Sequence, residues 1–191
     1  MKKVLVANRG EIAIRVFRAC SELHINTVGI YAAEDEYSVH RFKADEAYLV
    51  GKGKKPIDAY LDIDDIIRIA KESGAEAIHP GDGFLSENLE FAQRCESEGL
   101  IFIGPTTHHL DIFGDKIKAK EAAIAAGIQS IPGTDGPVAL IDEVLDFAKT
   151  HGYPIMIKAA LGGGGRGMRV AHDEKEARDG YERAKSEAKA A

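Results

Sequence analysis

Basic charge is in short supply: 25 Lys and Arg stand against 31 Asp and Glu, a net charge of -6. A general nucleic-acid binder needs a basic face to neutralise phosphates, so any phosphate site here must be local. Long apolar runs are missing too. Hydrophobic residues make up 45% of the chain, yet no stretch approaches the ~20 residues that a bilayer-crossing helix requires, and a membrane protein is not expected. Cysteine is scarce. Cys20 and Cys95 each fall on the apolar face of an expected helix, where a reduced, buried thiol is the ordinary reading, and neither is assigned to catalysis or metal. The opening MKKVLVANRG passes into a strand after two lysines, without a signal h-region or transit-peptide composition, so the cytoplasm is the expected compartment. There is no internal repeat and no low-complexity segment.

What is present is an alternation of short Val/Ile-rich runs with helical patterns: KVLVA, EIAIRVFRACSEL, TVGIYAA, AYLV, DIDDIIRIAKESG, EAIHP, ENLEFAQRCESEG and LIFIG. Such alternation predicts an α/β fold with a parallel sheet and helices packed on it. Ile12, Val16, Ala19, Cys20 and Leu23 are expected on the buried face of the first helix, and Ile63, Ile66, Ile67 and Ala70 on that of another. Gly104-Pro105 is loop punctuation and closes the sheet unit, giving segments 1–105, 106–132 and 133–191. An Ala-rich helix from about Asp115 to Ala126 follows, then a helix burying Ile141, Val144, Leu145 and Ala148. The strand YPIMIKAA, a glycine loop and the return strand MRVA form a hairpin in a small separate domain. The last stretch begins with acids and continues with lysines, as a helix macrodipole prefers. It lacks a stop signal, so the chain is expected to end partway through a domain.

Several stretches could carry chemistry. Gly162 to Gly165 remove four side chains in succession, letting backbone N–H groups close on an anion, with Arg166 beside them. This is neither a Walker loop, lacking Gly-Lys-Ser/Thr, nor a dinucleotide fingerprint. A bare hairpin tip is the competing reading. Lys158 interrupts an apolar strand just before the loop, where an ammonium can reach the same phosphates; an edge-strand lysine that discourages aggregation is the alternative. Asp115 reads as an N-cap, yet Lys116, Lys118 and Lys120 follow and oppose the helix dipole. An anion near Lys116 would offset that, and three solvated lysines would look the same.

HPGDGFLSEN follows the strand EAIHP at the carboxyl edge of the sheet, where ligand crevices form. Ser86 is expected to cap the next helix, with Leu89 and Phe91 entering the core. His79 reads as a hydrogen-bonded structural histidine, and His108-His109 as surface residues. NRGE has one glycine, Gly10, and is a weak dinucleotide signal.

ANRGEIAIRV, HPGDGFLSEN, FIGP, GDK and KAALGGGGRGM occur in this order in biotin carboxylases, and the resemblance covers the whole chain. HRFKADEAYLVG, AYLDIDDII and KAALGGGGRGMRV resemble the amino-terminal part of pyruvate carboxylases more than the separate subunit of acetyl-CoA carboxylase. The resemblance implies an ATP-grasp enzyme: a Rossmann-like parallel-sheet pre-ATP-grasp domain (1–105), a helical linker (106–132) and an incomplete ATP-grasp lid subdomain (133–191). It implies ATP and bicarbonate as substrates, Mg2+ on the phosphates, and biotin carried on another domain, with carboxyphosphate delivering the carboxyl group to the ureido nitrogen. Lys116 and Lys158 then resemble lysines that hold ATP phosphates. Gly163, Gly164, Gly165 and Arg166 resemble the closing loop, and Met168 an adenine contact. Gly81, Asp82 and Gly83 match a biotin-proximal loop, and Arg18 and Glu22 a dimer face, so the full-length protein is expected to be a homo-oligomer that meets a biotin carrier domain. Asp82 stands where the family usually has tyrosine, which removes a packing surface and adds negative charge near an anionic substrate. The family's magnesium-binding and catalytic residues lie beyond Ala191. No catalytic or metal-binding residue is therefore assigned, and the chain alone is not expected to turn over.

Overall fold

Alternating side chains of β1 (Lys3–Val6) serve two cores at once. Val4 and Val6 point to one face of the sheet and pack with Ala13, Phe17 and Cys20, while Leu5 and the following Ala7 point to the other. That is why KVLVA reads as an unbroken apolar run: a parallel sheet is covered on both faces. The structure, a computed structural model, describes residues 1–129, 131–134, 136–158 and 168–190, with the side chains of 116 and 187–190 left aside. It divides into two compact units, Met1–Ala119 and Lys120–Ala191.

In the first unit β1 leads through α1 (Gly10–Glu22) to β2 (Asn26–Tyr31) and, after two short 3-10 turns, to β3 (Glu46–Leu49). Helices α2 (Pro56–Tyr60) and α3 (Ile63–Glu72) then carry the chain to β4 (Ala77–His79), and α4 (Leu89–Ser97) to β5 (Ile101–Phe102). The strand order is β3-β2-β1-β4-β5, every neighbouring pair parallel. The expected parallel α/β sheet is therefore present. The chain first builds outward from β1 on one side and then crosses to β4 on the other, so the topological switch lies between the carboxyl ends of β1 and β4. Ligand crevices of open α/β sheets form at such points.

Two local expectations need correction. Cys20 is buried on α1 as expected and Val16 packs against the same core, but Ala13 and Phe17 complete that face in place of Ile12, Ala19 and Leu23. Ala19 is exposed, and Leu23 is 70% exposed because it caps the helix end, where the chain turns away. Ser86 does not cap α4. Asn88 does, its side chain accepting from the Phe91 N–H at 2.8 Å, while the Ser86 N–H closes a turn onto Gly83 O. The helix expected over DIDDIIRIAKESG is present as α3, started by the Asp62 side chain accepting from the Asp65 N–H, and the short α2 precedes it.

Helix α5 (Thr107–Gly114), unforeseen in the sequence, is capped by the Thr106 hydroxyl. Helix α6 (Lys116–Ala125) begins with the Asp115 carboxylate accepting from the Ile117 and Lys118 N–H groups, the expected cap. In the second unit, α7 (Ile141–His151) and α8 (Glu174–Ala190) pack on a two-stranded antiparallel sheet, β6 (Ile155–Lys158) with β7 (Met168–Ala171). Val144, Leu145, Ala148, Ile155, Ala171, Ala177 and Tyr181 form its core.

Candidate functional site

At the carboxyl end of β1 the chain must leave the sheet and enter α1, and Gly10 makes that turn at φ +57. Asn8, just before it, is 1% exposed. Its Oδ1 accepts from the Arg9 N–H at 2.9 Å, and its Nδ2 donates to Pro80 O at 2.8 Å and to Asp82 O at 2.9 Å. The NRGE turn and the HPGDGF loop are thus one unit across the switch point. Gly81 stands at φ +71, and a Cβ there would lie 2.5 Å from Asn8 Nδ2 and 2.8 Å from Ile12 Cγ2. Ile12 is therefore spent on the loop rather than on the sheet.

Within the loop, the Gly81 N–H donates to His79 Nδ1 at 3.0 Å. Burial pushes the His79 ring below the usual histidine range, so the ring is neutral with its proton on Nε2. This is the structural histidine the sequence suggested. Asp82 and Gly83 are exposed, which leaves the Asp82 carboxylate facing outward while its carbonyl is pinned from below.

Beside the loop, Tyr60 is fully buried. Its hydroxyl donates to Asp35 Oδ2 at 2.7 Å, and Arg9 Nη1 approaches the same oxygen at 3.3 Å. Burial opposes ionisation of Asp35, but hydrogen bonds from Tyr60, Ser38 and Arg9, with the Arg9 charge, outweigh it and hold the carboxyl below the usual range. Burial chiefly raises the Tyr60 hydroxyl, despite the Ala32 N–H it accepts. The phenol stays protonated and donating.

Among the lysines of GDKIKAKEAA the structure discriminates. Lys118 is paired with Asp111, Nζ to Oδ1 2.8 Å, and Lys120 donates to Gly133 O and Thr134 O at 3.1 and 3.3 Å. Lys116 opens α6, and its side chain lies outside the described residues. Lys158 ends β6 directly opposite Met168 at the start of β7, and both are exposed. A cation and an apolar side chain therefore stand side by side at the two ends of the segment from Ala159 to Gly167. Gly163, Gly164, Gly165 and Arg166 belong to that segment, outside the described residues. Arg18 and Glu22 lie one turn apart on the exposed side of α1 and form no ion pair among the described residues.

Residues 1–110 match the family described as biotin carboxylase, N-terminal domain. The chain belongs to this family. Residues 115–191 match the carbamoyl-phosphate synthase L chain ATP-binding domain. Along its whole length the chain is 66% identical to pyruvate carboxylase of Bacillus subtilis and 56% identical to the mitochondrial pyruvate carboxylase of Homo sapiens, spanning 17% and 16% of those proteins. It is also similar, with a TM-score of 0.90 and 50% identity, to the biotin carboxylase domain dimer of Hydrogenobacter thermophilus 2-oxoglutarate carboxylase, solved in complex with MgADP, ADP and bicarbonate; 98% of this chain and 41% of that one align. The Rossmann-like sheet and the hairpin unit are thus parts of a biotin carboxylase fold.

Asn8, Arg9, Asp35 and Tyr60 escaped the sequence reading. Only Asn8 left a signal, a polar residue directly after the apolar run Val4 to Ala7.

Proposed function

We propose that this chain is the amino-terminal part of the biotin carboxylase domain of a pyruvate carboxylase, contributing to ATP- and bicarbonate-dependent carboxylation of biotin, the first half of converting pyruvate to oxaloacetate. The observation that carries the reading furthest is the register of Lys158 against Met168 at the ends of the glycine segment, within a chain 66% identical throughout to a pyruvate carboxylase. A cation beside an apolar contact is the donor set that suits a nucleotide: the ammonium meets phosphate as a point charge and the thioether packs on a flat ring. By the family resemblance, Lys116 would be a second phosphate-holding lysine, and Gly163, Gly164, Gly165 and Arg166 the loop that closes over the nucleotide.

In this reading the segments 1–105, 106–132 and 133–191 are the Rossmann-like domain, the linker and the ATP-grasp lid. By the family resemblance, magnesium on the phosphates would be held by residues of the parent protein outside this chain.

Biotin, carried on another domain, supplies the ureido nitrogen that receives the carboxyl group. Gly81, Asp82 and Gly83 form the loop beside it. The Asp82 carboxylate can accept from an N–H group but repels a bicarbonate anion, so biotin or bicarbonate handling is weaker than with tyrosine there. Arg18 and Glu22 contribute to a dimer face, and the parent protein is a homo-oligomer. No described helix is long and apolar enough to cross a membrane. The cytoplasm remains our proposal for its location, although the relatives of Mus musculus, Homo sapiens and Rattus norvegicus are mitochondrial.

The test is ATP hydrolysis by the full-length protein, measured with and without bicarbonate and with and without free biotin. Stimulation by biotin is expected. Hydrolysis indifferent to both biotin and bicarbonate would contradict the assignment.

A further inference from the structure

Arg9 belongs to neither the phosphate clamp nor the Asp82 loop, yet it lies against both rings that pack at the end of that loop, Tyr60 and Phe84. On one side its guanidinium meets Asp35 at 3.3 Å. Its Cζ lies 5.6 Å from the Tyr60 ring centroid and 5.9 Å from that of Phe84. The two rings stack on each other, centroids 5.1 Å apart and planes inclined by 23°. Tyr60 donates to the same Asp35 oxygen, and Ser38 donates to the other at 2.9 Å. Five side chains from the β1–α1 turn, the turn after β2, the end of α2 and the loop after β4 thus form one cluster.

Phe84 itself stands at φ +42, in a region that bulky side chains avoid. Such a conformation persists only where the surroundings over-determine it, and it clusters at functional sites. Gly81 and Gly83, which also have positive φ, impose no preference of their own. What fixes the loop above its Asn8 anchor is therefore the packing of Phe84.

We propose that Arg9 is a positioning residue: by clamping Phe84 against Tyr60 it sets the conformation of Gly81–Phe84 and hence the place of Asp82. The clamp rests on geometry, and its consequence for the reaction rests on the reading that this loop faces biotin. Arginine suits the task because its planar guanidinium can cover two rings while its edge donates to a carboxylate. An ammonium on a flexible stem cannot do both.

The test pairs amide hydrogen exchange of this chain with biotin-dependent ATP hydrolysis by the full-length protein, each for the wild type, Arg9→Lys and Arg9→Met. Arg9→Lys guards against a folding defect from the loss of charge. Exchange at Gly81 and Ser86, whose N–H groups donate to His79 Nδ1 and Gly83 O, should quicken by roughly tenfold or more while β1 and α3 keep their protection, the signature of local rather than global opening. The KM for biotin should rise with the KM for ATP unchanged. Unaltered loop exchange, or exchange quickened uniformly across the unit, would overturn the clamp. Faster loop exchange with an unchanged biotin KM would leave the clamp standing and contradict the placement of this loop at biotin.

Discussion

A methyl group added to Gly81 would stand 2.5 Å from the amide nitrogen of Asn8. The two residues are 73 positions apart in sequence, as their numbers give, and they meet because β1 and β4 are neighbours in the sheet. The close approach lets one buried amide serve two carbonyls of the loop.

Gly81→Ala should therefore destabilise the first unit by about 3 kcal/mol, combining the cost of a left-handed alanine with overpacking against Asn8 and Ile12. Asn8→Ala leaves the Pro80 and Asp82 carbonyls without their donor, and should cost about 1–3 kcal/mol. Urea unfolding of both variants checks this. A midpoint unchanged for Asn8→Ala would mean that the loop is held by other contacts.

Stability should fall in acid in two stages. Burial lowers the rings of His40 and His79 below the usual histidine value of about 6.5. His40 offers Nε2 to Ile30 O at 3.1 Å, with Nδ1 buried and unpartnered. A folded-state pKa below the unfolded one gives stability that is complete above about pH 6.5 and is lost as pH falls toward the folded values. Asp45, which accepts from the Thr27 hydroxyl and N–H, and Asp35 are also lowered, so their share is present above about pH 4 and disappears below it. Urea midpoints at pH 7, 5 and 3 should decline at each step. Equal midpoints at pH 7 and 5 would show that neither ring gains from staying neutral.

Burial raises the Cys95 thiol to about 12 and also raises Cys20. Neither forms the thiolate that alkylating reagents need. Iodoacetamide should leave both unmodified at pH 8 in the native protein and label both in urea. Rapid native labelling of Cys95 would contradict the packing of α4.

On the proposal that the Gly81–Gly83 loop faces biotin, Asp82→Tyr in the full-length protein should lower the KM for biotin or bicarbonate, because it replaces an exposed carboxylate by an aromatic surface. Unchanged steady-state constants would remove Asp82 from the substrate's surroundings.

The parallel sheet was legible because both of its faces are apolar, so short Val/Ile-rich runs such as those in KVLVA and TVGIYAA stand out between helical patterns. The hairpin was legible because a strand pattern resumes after the glycines, and the observed pairing of Ile155–Lys158 with Met168–Ala171 follows it. The register of α1 was not, since Ile12 and Ala13 are adjacent and only tertiary contact decides which one meets the sheet. Ser86 and Asn88 are both good caps by residue type; the turn from Gly83 to Ser86 consumes the first. Asn8, Arg9, Asp35 and Tyr60 are brought together by strand order and by chain reversals, and no local pattern encodes that meeting.

Calorimetric titration of this chain with Mg-ATP, beside Lys158→Ala and Lys116→Ala, tests the central claim most directly. The account predicts weak, saturable binding that is diminished by roughly tenfold or more in each variant, as the loss of a charge-assisted phosphate contact implies. Binding that both variants retain at full strength would contradict the assignment of the phosphate clamp to these two lysines.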